Sequence, residues 1–485
     1  MAPTPSTSSS PPQSLSLANK LAYGAGDLGT GMTANLVAFS FLVFLTTVAG
    51  LPPALAGSVV LVGKAWDAIN DPIVGLLSDQ TRSRWGRRHA WILYGSVPFA
   101  LSVVLLWLSP GFDNVWLTFG YYAIASLLFH TAYTAVNLPY AALTAELTQD
   151  YDERTGLTSF RLAFSLAGAV LGLVIGLVLS LVLGENPPLQ YQWLGIIAAL
   201  IALAFFGWCL WGTLPAARAR GLLDPHHGDP SPGGPAMGSF RSEILSALSN
   251  RAYQCVIGIY LCSWLALQVT ASIIPFFAVS WMGLGSYFQV ALIVQGSAIG
   301  MLFVCSALSR TWGKQKLYFV GIGSWIVVQG GLFFLQPGQT ALLYGLCFAA
   351  SFGVATAYLV PWSMLPDVVE LDELQSGRRR EGVFYSFMSL LQKLGLALGL
   401  FLVGIALEWA GFVESTPGGP IPVQPESALL AIRLAIGPLP TIALIVSLVL
   451  AWFYPITREK HAQIRSQLAA RREGSLARLP DSPEP

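Results

Sequence analysis

Charge is what this chain has least of. Of its 485 residues, 11% are Asp, Glu, Lys or Arg, while 54% are hydrophobic. Soluble domains carry about 25% charged residues. A chain this poor in them cannot cover a water-facing surface, which excludes a soluble globular protein. Charge of one sign is also missing: 26 basic residues face 25 acidic ones, a formal net charge of +1, and no nucleic-acid partner is expected. Cysteine is scarce. Cys209, Cys255, Cys262, Cys305 and Cys347 stand singly in or beside apolar runs and read as small buried hydrophobes. The His226-His227 pair has no further ligands at usable spacing, so no metal site is expected. No nucleophile–base pair stands out, which leaves no catalytic residue, no enzyme and no cofactor in the reading. The Ser/Thr/Pro-rich start lacks the charged and apolar regions of a signal peptide and reads as a disordered tail.

Long apolar runs are plentiful. A spanning helix needs about 20 mostly apolar residues. By that measure there are twelve runs, at 21–48, 54–78, 90–109, 115–143, 160–183, 193–213, 250–280, 287–309, 316–335, 340–365, 383–409 and 428–454. Lys and Arg collect in alternate loops: Arg82, Arg84, Arg87 and Arg88; Arg218, Arg220 and Arg241; Arg310, Lys314 and Lys316; Arg378, Arg379 and Arg380. Positive loops stay inside, so both termini are expected to be cytoplasmic, in a plasma (inner) membrane. The chain repeats weakly. Arg84-Trp85-Gly86-Arg87-Arg88 follows the second run and Arg310-Thr311-Trp312-Gly313-Lys314 the eighth. Asn137-Leu138-Pro139-Tyr140 and Leu359-Val360-Pro361-Trp362 close the fourth and tenth. The expected fold is an all-α membrane protein of twelve transmembrane helices in two six-helix pseudo-symmetric halves. The expected division is a tail at 1–18, halves at 19–213 and 250–455, a cytoplasmic linker at 214–249 and a tail at 456–485. Transporters of this kind hold solute and ion near the midplane between the halves.

One run is anomalous. Lys64 to Pro72, KAWDAINDP, puts Lys64, Asp67, Asn70 and Asp71 inside an apolar stretch. An ionisable residue at that depth costs about 2.5–3.5 kcal/mol and marks a functional site by default. In a helix, Lys64, Asp67 and Asp71 share a face. Asp67 and Asp71, about 5–6 Å apart, repel by roughly 3 kcal/mol at an effective dielectric near 20. A shared proton, a bound cation or a basic side chain must offset that. Two readings stay open: a site for a coupling cation, or an inert cluster in which Lys64 and Lys393 neutralise the aspartates.

On the basic side, Asp79 pairing with Arg87 or Arg88 would make a gate latch that opens and closes with alternating access. The acidic loops carrying Glu146 and Asp367 could bridge the two halves there. Tyr133 and Trp362 are candidate cavity-lining aromatics. His130 reads as a packed core histidine.

Three stretches together, LAYGAGDLG (21–29), KAWDAINDPIVGLLSDQTRSRWGRR (64–88) and PDVVELDE (366–373), resemble the melibiose-permease-like glycoside–pentoside–hexuronide:cation symporters of the major facilitator superfamily. The resemblance implies a cation site of Asp67, Asn70, Asp71 and Thr134, with Lys64 and Lys393 beside it. It also implies a solute-binding role for Arg161. Two aspartates that hold the sugar in the family's best-known member are replaced by Gly31 and Asn137, and its stacking tryptophan by Ala141. LVPWSMLPDV (359–368) is similar to the animal sodium-dependent lysophosphatidylcholine symporters. The expected function is therefore symport of a small organic solute, a sugar or glycoside, with Na⁺ or H⁺, by a monomer in the bilayer. The alternatives are a sodium-dependent lysophospholipid symporter and a non-transporting sensor on a transporter fold.

Overall fold

Apolar runs of this length have one way to bury their backbone polar groups inside a bilayer, which is to coil into helices. The computed structural model describes residues 15–148, 151–184, 186–220, 222–223, 250–376, 381–414 and 422–476. Within them the chain forms α1 (Leu17–Thr47), α2 (Pro53–Gln80), α3 (Arg87–Trp107), α4 (Val115–Leu147), α5 (Tyr151–Leu183) and α6 (Pro187–Ala219). The second half repeats the pattern with α7 (Arg251–Trp281), α8 (Phe288–Trp312), α9 (Lys314–Phe334), α10 (Thr340–Ser376), α11 (Glu381–Trp409) and α12 (Glu426–Trp452). A thirteenth helix, α13 (Arg458–Leu476), follows. His226, His227, Arg241, Arg378, Arg379, Arg380 and the chain beyond 476 lie outside the described residues.

Eleven of the helices are long and apolar enough to cross a membrane. The twelfth of that length, α2, has 28 residues, about 42 Å at 1.5 Å per residue. Its shortfall in apolarity comes from Lys64, Asp67, Asn70 and Asp71. It runs unbroken through Pro72. The helices overrun the expected boundaries on the terminal face, where α1 begins and α12 ends. α6 continues to Ala219, beyond the expected 213, and α10 has 37 residues, far more than a hydrocarbon core of about 30 Å requires.

Local signals set several helix ends. The side chains of Ser16, Asn114, Asn186 and Asn250 cap α1, α4, α6 and α7, taking up N–H groups that the first turn leaves free. The repeat is geometric as well as sequential. Gly86 and Gly313 open α3 and α9 with φ of 78° and 82° and ψ of 162° and 159°, a backbone that side-chain-bearing residues avoid. α1 and α7, the first helices of each half, each contain one π-helical stretch, Val37–Phe41 and Phe277–Trp281.

The halves meet on the face opposite the termini. The π-turn of α1 packs on α7, α2 on α11, and α5 on α8. A Cβ at Gly404 would sit 2.3 Å from the Pro53 carbonyl oxygen, so only glycine lets α11 approach α2 this closely. The Ala54 N–H donates to Glu408 Oε2 at 2.7 Å. The Ser180 and Ser286 hydroxyls lie 3.0 Å apart, and those of Tyr191 and Tyr287 3.1 Å apart. The ion pairs of the terminal face named below each join residues of one half. The opposite face is therefore closed and the cleft between the halves opens toward the termini.

Candidate functional site

α2 and α4 pack side by side in the first half, and α11 faces them from the second. Asp67, Asn70 and Thr134 are buried at 1%, 4% and 2% exposure. The Thr134 hydroxyl lies 2.8 Å from Asp67 Oδ1 and 3.0 Å from Asp71 Oδ1. With one proton to donate, it serves one carboxylate at a time and holds both within reach of a single point. Lys64 Nζ stands 3.7 Å from Asp67 Oδ2. From across the interface, Lys393 Nζ donates to Asp71 Oδ2 and lies 3.2 Å from Asp67 Oδ2. That second approach is close enough for attraction, but Asp67 Oδ2 receives no hydrogen bond. The Trp264 indole donates to the Gln392 carbonyl at 2.9 Å and fixes α11 next to Lys393.

Three of the four residues expected to form a cation site, Asp67, Asp71 and Thr134, thus converge with the two lysines expected beside them; Asn70 is buried on the same helix, next to Asp71 in the chain. The Lys393 ammonium stands against both aspartates. Asn70 Nδ2 is buried without a partner. Turned over, the same amide would offer a carbonyl oxygen, the hard ligand a small cation prefers.

A second charged pair lies across the same half, and the sequence reading missed half of it. Arg161 Nε donates to Asp27 Oδ2 at 3.0 Å, and the guanidinium sits 5.6 Å above the Tyr140 ring. Asp27 also accepts from the Thr30 hydroxyl. Asp27 lies in the quoted LAYGAGDLG stretch, yet no role was expected for it. Its signal was the one that marked Asp67, a carboxylate deep in an apolar run. The Tyr133 ring packs 6.2 Å from that of Phe99 and 5.9 Å from that of Phe129. Asn137 Oδ1 is buried with no donor to satisfy it.

Gly31 is placed otherwise than a solute contact requires. A Cβ there would come within 2.5 Å of the Ser165 carbonyl oxygen, so Gly31 serves the packing of α1 on α5. Trp362 belongs to the wall of the second half. Its ring lies 5.7 Å from that of Tyr260, and Tyr260 and Tyr358 lie 5.6 and 5.3 Å from Trp264. His130 is buried beside Gly63, where a Cβ would strike the imidazole; its Nδ1 has no partner.

On the terminal face, the residues expected to form a gate are gathered within halves. Arg87 Nε and Arg88 Nε donate to Glu146 Oε1 at 2.7 and 3.0 Å, and Arg88 also donates to Ser78 and Asp79. In the second half Lys314 donates to both oxygens of Asp367, at 2.8 and 2.7 Å, and to the Ser363 carbonyl. His461 of α13 lies 3.3 Å from Asp367 and 2.9 Å from Glu370. Among the described residues the bridging between halves expected of Glu146 and Asp367 is not formed, and each pairs within its own half.

Residues 22–458 match the family described as MFS/sugar transport protein. An uncharacterised symporter of Synechocystis sp. is 46% identical over 96% of this chain and 98% of its own length. The inner membrane symporter YicJ of Escherichia coli is 28% identical, over 94% and 95%. The sodium-dependent lysophosphatidylcholine symporter 1 of Xenopus tropicalis is 27% identical, over 99% and 95%. Among solved structures, a variant of the nucleoside transporter NupG superposes with a TM-score of 0.60 at 13% identity, over 90% of this chain and 98% of that one. At that identity the likeness shows the fold.

Proposed function

The chain belongs to the MFS/sugar transport family, as a multi-pass membrane transporter and not an enzyme, and from that premise we propose that it is a cation-coupled symporter of a sugar or glycoside. Asp67, Asp71 and Thr134, with Asn70 turned to present its carbonyl oxygen, bind Na⁺, or else H⁺ on a carboxylate. Hard oxygen ligands suit Na⁺, and the Xenopus relative is named as sodium-dependent. The protein acts as a monomer in the inner (plasma) membrane. The loop lysines and arginines put both termini in the cytoplasm, so the cleft described above is inward-facing. The residues 19–213 and 250–455 are the two rocking halves, joined through the 214–249 linker.

The observation that carries this reading is that Lys393 reaches the two aspartates from the opposite half. Removing it alone would leave the buried Asp67 and the half-buried Asp71 repelling each other, with Lys64 alone beside Asp67. A cation entering between Asp67 and Asp71 replaces that ammonium and frees the halves to move. Cation and solute then each favour the state the other binds, and the coupling is reciprocal. The Arg88–Asp79–Glu146 and Lys314–Asp367 pairs keep the terminal end of each half rigid while it rocks.

The test is uptake into proteoliposomes, with and without Na⁺ and with an imposed pH gradient. Asp67→Asn and Asp71→Asn are expected to lose cation-driven accumulation while eluting as folded protein. Full cation-dependent uptake by both variants would overturn the site. The LVPWSMLPDV stretch and the Xenopus relative favour a second reading, lysophospholipid transport; uptake of lysophosphatidylcholine and of no sugar in the same panel selects it.

A further inference from the structure

Lys393 reaches the aspartates on a flexible four-carbon stem, so where its ammonium stands depends on how α11 is held at the stem's base. One side chain of α7 holds it there. The Trp264 ring is 6% exposed and enters the groove at Gly395, where a Cβ would come 2.8 Å from ring Cδ1. Its indole N–H donates to the Gln392 carbonyl at 2.9 Å; a helical carbonyl has a second lone pair to accept it. The two contacts fall on either side of Lys393 in the chain. The ring is braced from behind. Tyr260, one turn earlier on α7, stacks on it at 5.6 Å, and Tyr358 of α10 meets it edge-on at 5.3 Å. Any aromatic ring of similar size would fill such a space. The indole N–H adds a fixed direction, aimed at the backbone beside the lysine.

From this seating we infer that Trp264 is a positioning residue of the candidate cation site. It holds the Lys393 ammonium against Asp67 and Asp71, and so sets how strongly that ammonium competes with a coupling cation. The inference rests on the symport reading above. Ammonium and cation claim the same carboxylates, and a competitor binds more strongly the less freedom it loses on binding. With the N–H removed, α11 is held less firmly at Gln392, the ammonium spends less time on the aspartates, and a cation enters at lower concentration. A side chain at Gly395 would act in the same direction by pushing the ring out of its groove. Trp264 and Lys393 both belong to the second half and the aspartates to the first. The seat therefore travels with the lysine when the halves part.

The experiment uses the purified full-length protein and two readouts: binding of radioactive Na⁺ without solute, and acylation of Lys393 by an amine-reactive ester, read by peptide mass spectrometry. Trp264→Phe keeps a ring against Tyr260 and Tyr358 and removes the N–H. It and Gly395→Ala should each lower the half-saturating Na⁺ concentration, and raise Lys393 acylation, by about threefold or more, the worth of one hydrogen bond. In a Lys393→Gln background, Trp264→Phe should leave Na⁺ affinity where it was, since no ammonium remains to be held. A merely structural role for the ring would shift affinity in both backgrounds, and that result overturns the inference. So does an unchanged Na⁺ affinity in Trp264→Phe with Lys393 present. A wild type that binds no Na⁺ would instead overturn Na⁺ as the coupling ion. Lys393 acylation then decides alone, and labelling of Trp264→Phe equal to that of wild type overturns the positioning role.

Discussion

At the scale of single residues, the centre of the molecule is a hydroxyl between two carboxylates. Thr134 holds Asp67 and Asp71 to a common point at 2.8 and 3.0 Å. Hydrogen bonds to charged groups contribute about 1.5–3 kcal/mol, and about 1.4 kcal/mol is tenfold in affinity. Thr134→Val keeps the side chain's shape and removes the hydroxyl. It should raise the cation concentration for half-maximal uptake about tenfold and leave the maximal rate largely intact. Cation titration of proteoliposome uptake measures this, and an unchanged half-saturation would remove Thr134 from the site. Asp67 and Asp71 were legible in the sequence because a carboxylate inside an apolar run has no bland environment to occupy. Asp27 carried the same signal, but its partner Arg161 lies on another helix, and nothing local joins them.

Among the elements, α2 departs from the apolar pattern, and the ends of α1, α5 and α6 are tied by one carboxylate. Glu153 Oε1 accepts from the Leu15 N–H at 2.5 Å, with Lys20 at 3.6 Å and Arg220 at 4.0 Å. It precedes the apolar part of α5, which begins at Gly156. Burial opposes its ionisation, but hydrogen bonds from Thr148 and Leu15 and the nearby Lys20 and Arg220 outweigh that and hold the carboxyl below its ordinary value of 4.5. A carboxylate whose pKa is depressed on folding adds stability above its unfolded pKa and loses it as pH falls through the folded one. The tie should therefore be intact above about pH 4.5 and weaken in more acidic solution. Melting curves in detergent from pH 6 down to pH 3 should fall more steeply for the wild type than for Glu153→Gln. Parallel curves would show that Glu153 contributes nothing. The helices themselves were legible from their apolar length, but the π-turns in α1 and α7 were not. A single extra residue in a helical turn is decided by what the helix packs against.

For the whole molecule, the state is set by where the halves touch. Ser180 of α5 and Ser286, just before α8, bring their hydroxyls to 3.0 Å on the closed face. A Ser180→Cys, Ser286→Cys pair should therefore oxidise to a disulfide. The oxidised protein should lose uptake at least tenfold and regain it with reductant, since alternating access requires this face to part. Full uptake by the oxidised form would mean that the opening lies elsewhere.

The sequence alone determined the long apolar helices, the alternation of basic loops between them, and the polar residues on α2. Each of these is a property of one segment weighed against the bilayer: length against thickness, charge against depth. The tertiary structure decided which lysine meets which aspartate, that Arg161 answers Asp27, that Gly31 is a packing residue, and that the cleft opens toward the termini. Those outcomes depend on contacts between distant segments. A transporter's sequence must also permit more than one arrangement of its halves, so no segment by itself can record which one is formed.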